Sequence, residues 1–198
     1  MRRLILSIVA LSIILVGCTH SNESPRNVSD FNFGWKFKLG DDPSYSSAFY
    51  DDSDWRELHL PHDWSIEGEF DKDNPSTPSG GALPGGIGWY RKTFKTPELK
   101  DKIISVEFDG VFMNSTVYVN GHEVGHRPYG YSSFSYDITE YLNPAGRENV
   151  IAVRCDNSEQ PNSRWYAGCG IYRNVRLVET SDVYVEYNGT YITTPSVN

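Results

Sequence analysis

The chain has 198 residues, with 18 Lys and Arg against 26 Asp and Glu, a formal net charge of −8. That acidity argues against nucleic acid and anionic surfaces as partners, while the length suits one domain large enough to bury a real core. Aromatic side chains are abundant, with five Trp and thirteen Tyr, and in an acidic chain they serve core packing or stacking on carbohydrate.

Residues 1–17 read as a secretory signal. Arg2 and Arg3 form a basic start, and Leu4 to Val16 is an apolar run too short for a comfortable transmembrane helix. The run ends in Leu15-Val16-Gly17-Cys18, which resembles a bacterial lipobox, so Cys18 is the expected lipidation site. Residues 18–27 follow as a polar tether. Removing residues 1–17 takes away two basic residues and no acid, moving the formal charge from −8 to −10. The expected location is the bacterial periplasm or cell surface, held to a membrane by the lipid. Cys155 and Cys169 then remain in an oxidising compartment. A bridge between them would close a loop of about fifteen residues and add about 3 kcal/mol in the chain-entropy account, but spacing leaves open whether they meet.

No stretch of the mature chain sustains a 3.6-residue hydrophobic period, whereas alternation recurs. Trp35–Leu39, Trp55–Leu60 and Trp89–Phe94 read as strands. Ile104, Val106 and Phe108 share one face of a further strand; Ile151, Val153 and Cys155 share another; Ile171, Val175 and Leu177 share a third. Thr139–Leu142 makes one helical turn at most. About eight strands separated by turn residues give an all-β fold, an antiparallel β-sandwich or jelly roll. Two irregular stretches interrupt the strands. Ser65 to Gly88 lies between Pro61-His62-Asp63-Trp64 and Gly88-Trp89-Tyr90-Arg91, and a connection so long is usually functional or disordered. Asp156 to Gly170, DNSEQPNSRWYAGCG, is dense in polar groups around Trp165 and Tyr166, the composition of a binding loop on a rigid scaffold.

His122-Glu123-Val124-Gly125-His126 is a literal H-E-x-x-H, which holds zinc when a helix stacks the two histidines. Its context is a strand. Thr116 to Val119 alternates, and Asn120-Gly121 is a type I′ hairpin signal because both residues tolerate positive φ. Residues four apart lie roughly 13 Å apart along a strand, against about 6 Å along a helix. One zinc ion cannot bridge that distance, so these histidines are expected on a strand, and no metal or cofactor is called for.

Four stretches carry a family resemblance: DDSDWRELHLPHDW at 51–64, GGIGWYRKTF at 85–94, FDGVFMNSTVYVNGHEVGHRPYGYSSFSYDIT at 108–139 and NSRWYAGCGIYRNVRL at 162–177. Together they resemble the N-terminal sugar-binding domain of glycoside hydrolase family 2, the family of β-galactosidases, β-glucuronidases and β-mannosidases. The resemblance spans about residues 28–180 and implies a galactose-binding-domain-like jelly roll. It also implies that residues 181–198 open a following immunoglobulin-like sandwich, that a (β/α)₈ barrel further along supplies two catalytic glutamates of a retaining glycosidase, and that residues 1–198 contain no catalytic residue. Carried onto this chain, it makes Asn162, Ser163 and Arg164 sugar contacts, with Asp63 a further one. An arginine fork and an amide grip vicinal hydroxyls, and Trp165 offers a face to ring CH groups. Trp165 has a second reading as a core anchor, and Asp63 one as a turn-capping aspartate. The expected function is the sugar-binding part of an exported β-glycosidase of β-galactosidase type. Its expected partners are a β-galactoside or related glycan, the downstream domains of the same polypeptide, and the membrane through the lipid. The alternative is a stand-alone carbohydrate-binding lipoprotein without catalysis.

Overall fold

The computed structural model describes residues 24–196; the expected signal and Cys18 lie outside them. The described chain is two antiparallel sheets face to face. The smaller has four strands in the order β1 (Arg26–Asp30), β10 (Val175–Ser181), β5 (Lys102–Phe108), β8 (Phe134–Asp137). The larger has six, in the order β3 (Arg56–Leu58), β2 (Trp35–Leu39), β4 (Gly86–Lys95), β9 (Glu148–Asn157), β6 (Ser115–Val119), β7 (His122–Arg127). The all-β sandwich expected from alternation is the observed fold, with ten strands among the described residues where about eight were expected.

Period-two patterning fills the space between the sheets. Ile104, Val106 and Phe108 from β5, Val117 and Val119 from β6, and Ile151, Val153 and Cys155 from β9 are all fully buried. At about 1.5–3 kcal/mol per large apolar side chain, these inward faces fix the register, because a slip of one residue would turn each face to solvent.

Strand β4 breaks the alternation: Trp89, Tyr90 and Arg91 are consecutive and all buried. Successive side chains on a strand point to opposite faces, so such a run requires cover on both. Tyr90 faces the main core, while Trp89 joins Trp55 and Ala152 in a second cluster packed by Tyr45, Tyr50 and Tyr118. The buried Arg91 guanidinium reaches Asp52 at 2.8 Å and the Ser47 carbonyl at 3.0 Å.

The Asn120-Gly121 turn has φ of 51° and 86°, as a type I′ hairpin requires. It joins β6 to β7, so His122 and His126 pair along the ladder with Val119 and Thr116. The H-E-x-x-H sequence is therefore strand, as its context predicted. Thr139–Tyr141 is a single 3₁₀ turn.

Three expected boundaries shift. Strand β1 begins at Arg26, opposite Thr180, so the last two residues of the expected tether belong to the sheet. The Trp55–Leu60 segment shortens to β3, an edge strand that ends before Pro61. Ile171 is buried but precedes β10, and the adjoining Gly170 makes an isolated bridge to Phe112. Residues 182–196 contain no strand, although Arg26 Nη2 donates to the Val185 carbonyl at 2.8 Å.

Candidate functional site

The long connection after Trp64 is ordered by its own side chains. Ser76 Oγ donates to the Leu83 carbonyl at 2.7 Å, Asn74 Nδ2 to Ala82 at 2.8 Å, and Trp64 Nε1 to Gly85 at 3.1 Å. Serine and asparagine suit this task because their short polar groups replace backbone partners that a loop lacks.

Asp63 ties this connection to the loop 156–170. Its Oδ1 accepts from the Ser65 amide at 2.9 Å and the Cys169 amide at 2.8 Å, and its Oδ2 accepts from the Tyr166 hydroxyl. Burial, and then the Asp63 carboxylate, push the Tyr166 phenol well above its ordinary range. The turn-capping reading thus describes Asp63, whose carboxylate is engaged inside the protein. Behind it, Asn157 is 2 % exposed and donates to the Gly168 carbonyl at 3.1 Å and Cys169 Sγ at 3.0 Å.

Below the loops a relay runs from the exposed Arg56 to the buried His62 and Tyr90. Arg56 Nη2 sits 2.8 Å from His62 Nε2, and Nδ1 lies 2.7 Å from the Tyr90 hydroxyl. Guanidinium only donates, so the Arg56 contact requires Nε2 as its acceptor with the proton on Nδ1, while Glu67 Oε1, 3.3 Å from the same nitrogen, is itself held by Arg56. Burial is the largest influence on His62 and lowers its pKa. Gly170, at φ 106°, closes over this relay; a Cβ there would meet the Tyr90 hydroxyl oxygen at 2.1 Å.

Cys155 and Cys169 are both buried free thiols, so the bridge that spacing left open is not formed. Cys155 is part of the inter-sheet core, while Cys169 Sγ accepts from Ser65 Oγ at 2.8 Å as well as from Asn157. Burial pushes both thiols above their ordinary pKa.

The other sequence-predicted residues lie on the outer run of the loop. Asn162 Nδ2 donates to Asn157 Oδ1, and Ser163 Oγ donates to the Trp165 carbonyl at 2.6 Å. Arg164 is exposed and, among the described residues, forms no ion pair. Trp165 corrects the core-anchor reading: it is 61 % exposed, and its indole N–H donates to the Tyr131 hydroxyl at 3.0 Å. The loop interior is already filled by Asn157, Cys169 and Asp63, which leaves the indole outside.

Sequence reasoning did not find Tyr131 or its neighbour Tyr129, which is 59 % exposed. Both sit on the β7–β8 connection, which is fastened at several points. Arg127 Nη2 donates to Ser132 Oγ at 2.7 Å, Tyr172 Oη to the Gly130 carbonyl at 2.9 Å, and the Asn114 amide to Pro128 at 3.2 Å. The available signal was the Pro128-Tyr129-Gly130-Tyr131 stretch itself, two aromatics in a turn-forming context. Among the described residues, no group of three or more His, Cys, Asp or Glu side chains is placed to hold a metal. The site offers donors, an unpaired cation and aromatic faces.

Residues 29–181 match the family described as glycosyl hydrolases family 2, sugar binding domain, and the chain belongs to that family. It is 57 % identical over 186 residues to beta-galactosidase BoGH2A of Bacteroides ovatus, covering 93 % of this chain and 22 % of that protein. It is 45 % identical to a putative beta-glucuronidase of Formosa agariphila, covering 96 % of this chain and 18 % of that one. Among solved structures it resembles a glycosyl hydrolase family 2 member from Bacteroides cellulosilyticus, with a TM-score of 0.80, 43 % identity and coverage of 85 % and 22 %. A beta-glycosidase from Bacteroides vulgatus gives 0.75 and 48 %, covering 78 % and 20 %. The chain thus spans about a fifth of the length of the relatives it matches.

Proposed function

We propose that this chain is the sugar-binding domain of an exported, retaining β-galactosidase. Asn162, Ser163, Arg164 and Trp165 contact the sugar, and downstream domains supply the two catalytic carboxylates. The observation that carries the reading is Arg164: an exposed guanidinium with no ion pair among the described residues, next in sequence to an exposed indole, on a loop already held by Asp63 and Asn157. Pre-ordered donors and an aromatic face bind a polyol without ordering the loop anew. The 57 % identity to a β-galactosidase favours galactoside over glucuronide. Export and anchoring rest on residues 1–18, with Cys18 as the lipidated residue and the periplasm or cell surface as the location.

In the enzyme that contains this chain, Arg164→Ala should lower kcat/KM on an aryl β-galactoside about 10- to 150-fold, the loss of one charge-assisted hydrogen bond. Aryl β-glucuronide and β-mannoside assayed alongside test the sugar. Wild-type kinetics in a correctly folded Arg164→Ala enzyme would refute the assigned contact, and preference for either other glycoside would refute the galactoside. Cys18→Ala should release the protein from the membrane fraction, because stable anchoring needs two acyl signals; an unchanged distribution would refute the anchor.

A further inference from the structure

The three most prominent aromatic side chains beside the loop 162–165 form a row. Trp165 is 61 % exposed, Tyr131 45 % and Tyr129 59 %. The Trp165 indole is joined to the Tyr131 hydroxyl at 3.0 Å, and the Tyr131 and Tyr129 rings lie 5.6 Å apart between centroids, edge to face at 63°, so successive rings turn their faces in different directions along the row. Exposed aromatics that adjoin one another, unlike single ones, mark a surface that binds something.

The row is also rigid. Phe112 packs edge-on beneath Tyr131 at 5.1 Å. A Cβ on Gly130 would meet Phe112 Cδ2 at 2.2 Å, so the backbone between the two tyrosines rests directly on that ring. With Ser132 and Gly130 held by Arg127 and Tyr172, the tyrosines present their rings with little ordering left to do. This suits a weak, repeated stacking partner, because the entropy that usually cancels a single stack is already lost. The polar edges argue for the same partner. The indole N–H and the Tyr131 hydroxyl satisfy each other sideways, which leaves ring faces for CH groups and the remaining hydroxyl capacity for a polyol.

We infer that Trp165, Tyr131 and Tyr129 form an extended platform for successive sugar units, so that the substrate class is a glycan chain rather than a single terminal sugar on a small aglycone. Trp165 meets the unit nearest the Arg164 contact, Tyr131 sets the indole plane as a positioning residue, and Tyr129 meets a unit further along. The inference rests on the proposed sugar contact at residues 162–165 and adds the direction and length of the bound chain.

The test uses the whole enzyme and compares 4-nitrophenyl β-galactoside with β-1,4- and β-1,3-linked galactotetraose. Wild type should show a lower KM for one tetraose than for the aryl galactoside. Tyr129→Ala should raise KM for that tetraose about 3- to 10-fold, as expected for one aromatic stack, with kcat retained. Its effect on the tetraose should exceed its effect on the aryl galactoside at least several-fold. Tyr131→Phe keeps the ring but frees the indole, and should raise the tetraose KM by a smaller factor; Tyr131→Trp, which cannot accept the indole proton, should not restore it. Equal effects of Tyr129→Ala on both substrates, or no effect on either, would overturn the platform, as would a wild type with no preference for either tetraose. If Arg164→Ala impairs the aryl galactoside while Tyr129→Ala is silent, the platform alone fails. If both are silent, the sugar contact beneath it fails as well.

Discussion

Replacing Asp63 is the most direct perturbation of the candidate site, because one carboxylate holds its two irregular segments together. Asp63→Ala removes acceptors from the Ser65 amide, the Cys169 amide and the Tyr166 hydroxyl. Ser65 and Cys169 are 3 % and 1 % exposed, so neither amide gains an easy water partner. Hydrogen bonds to a charged acceptor contribute about 1.5–3 kcal/mol each when the donor is left buried. The Tyr166 hydroxyl lies on a side chain that is 42 % exposed and can turn to solvent, so its share is screened and small. Two buried amides at the lower end of that range give an expected loss of about 3 kcal/mol. Asp63→Asn keeps one acceptor oxygen for the amides and offers Tyr166 a donor in place of the second, and should cost about 1 kcal/mol. Urea unfolding with a shared slope measures both variants, and hydrogen exchange at the Cys169 amide reports the bond locally. An Asp63→Ala protein within about 0.5 kcal/mol of wild type, the scatter of ordinary surface changes, would refute the bracket. So would a Cys169 amide that stays protected in that variant.

Gly170→Ala should destabilise the sandwich by more than about 3 kcal/mol, since it combines a left-handed backbone at φ 106° with a Cβ 2.1 Å from the Tyr90 hydroxyl; a urea midpoint near wild type would contradict the packing described. His62 has a folded pKa lowered by burial from the ordinary 6.5, so the unfolded chain binds more protons in that range. Its contribution to stability is present above about pH 6.5 and is lost as pH falls through the lowered folded value. Arg56, Glu67, Asp63 and Tyr90 face it, and His62→Gln should flatten the fall in Tm between pH 7 and pH 5; an unchanged slope would locate the titration elsewhere. Cys155 and Cys169 should resist alkylation in the native protein and each take one alkyl group after denaturation, read by intact mass without reductant; a mass two units low with no alkylation would mean that they are bridged.

What the sequence made legible follows the range of the interaction concerned. The Asn120-Gly121 hairpin and the inward faces of β5 and β9 are set by neighbours within a few residues, and all were readable from turn chemistry and period two. Strand β1 was not, because Arg26–Asp30 has one apolar residue, Val28, which is itself exposed, and is a strand only through its pairing with β10, some 150 residues later. The run Trp89-Tyr90-Arg91 was read as a strand, but its double burial depends on a second aromatic layer contributed by Tyr45, Tyr50 and Trp55.

The candidate site follows the same rule, with a consequence for how its residues divide. The family resemblance singled out Asn162, Ser163, Arg164 and Asp63 alike, yet these are not alike in the fold. Asp63 is spent on partners about a hundred residues away, at Tyr166 and Cys169, and such a pairing leaves no local mark in the sequence. Trp165 runs the other way. Its size argues for burial, but a loop interior filled by Asn157 and Cys169 has no room for an indole, and the side chain emerges onto Tyr131. A polar residue turned inward and an aromatic one turned outward are the two departures from ordinary partitioning that carry information. Here they have one cause. Hydrogen-bonding groups occupy the inside of the loop and stiffen it, and the same occupancy holds the Trp165 ring out in solvent against Tyr131.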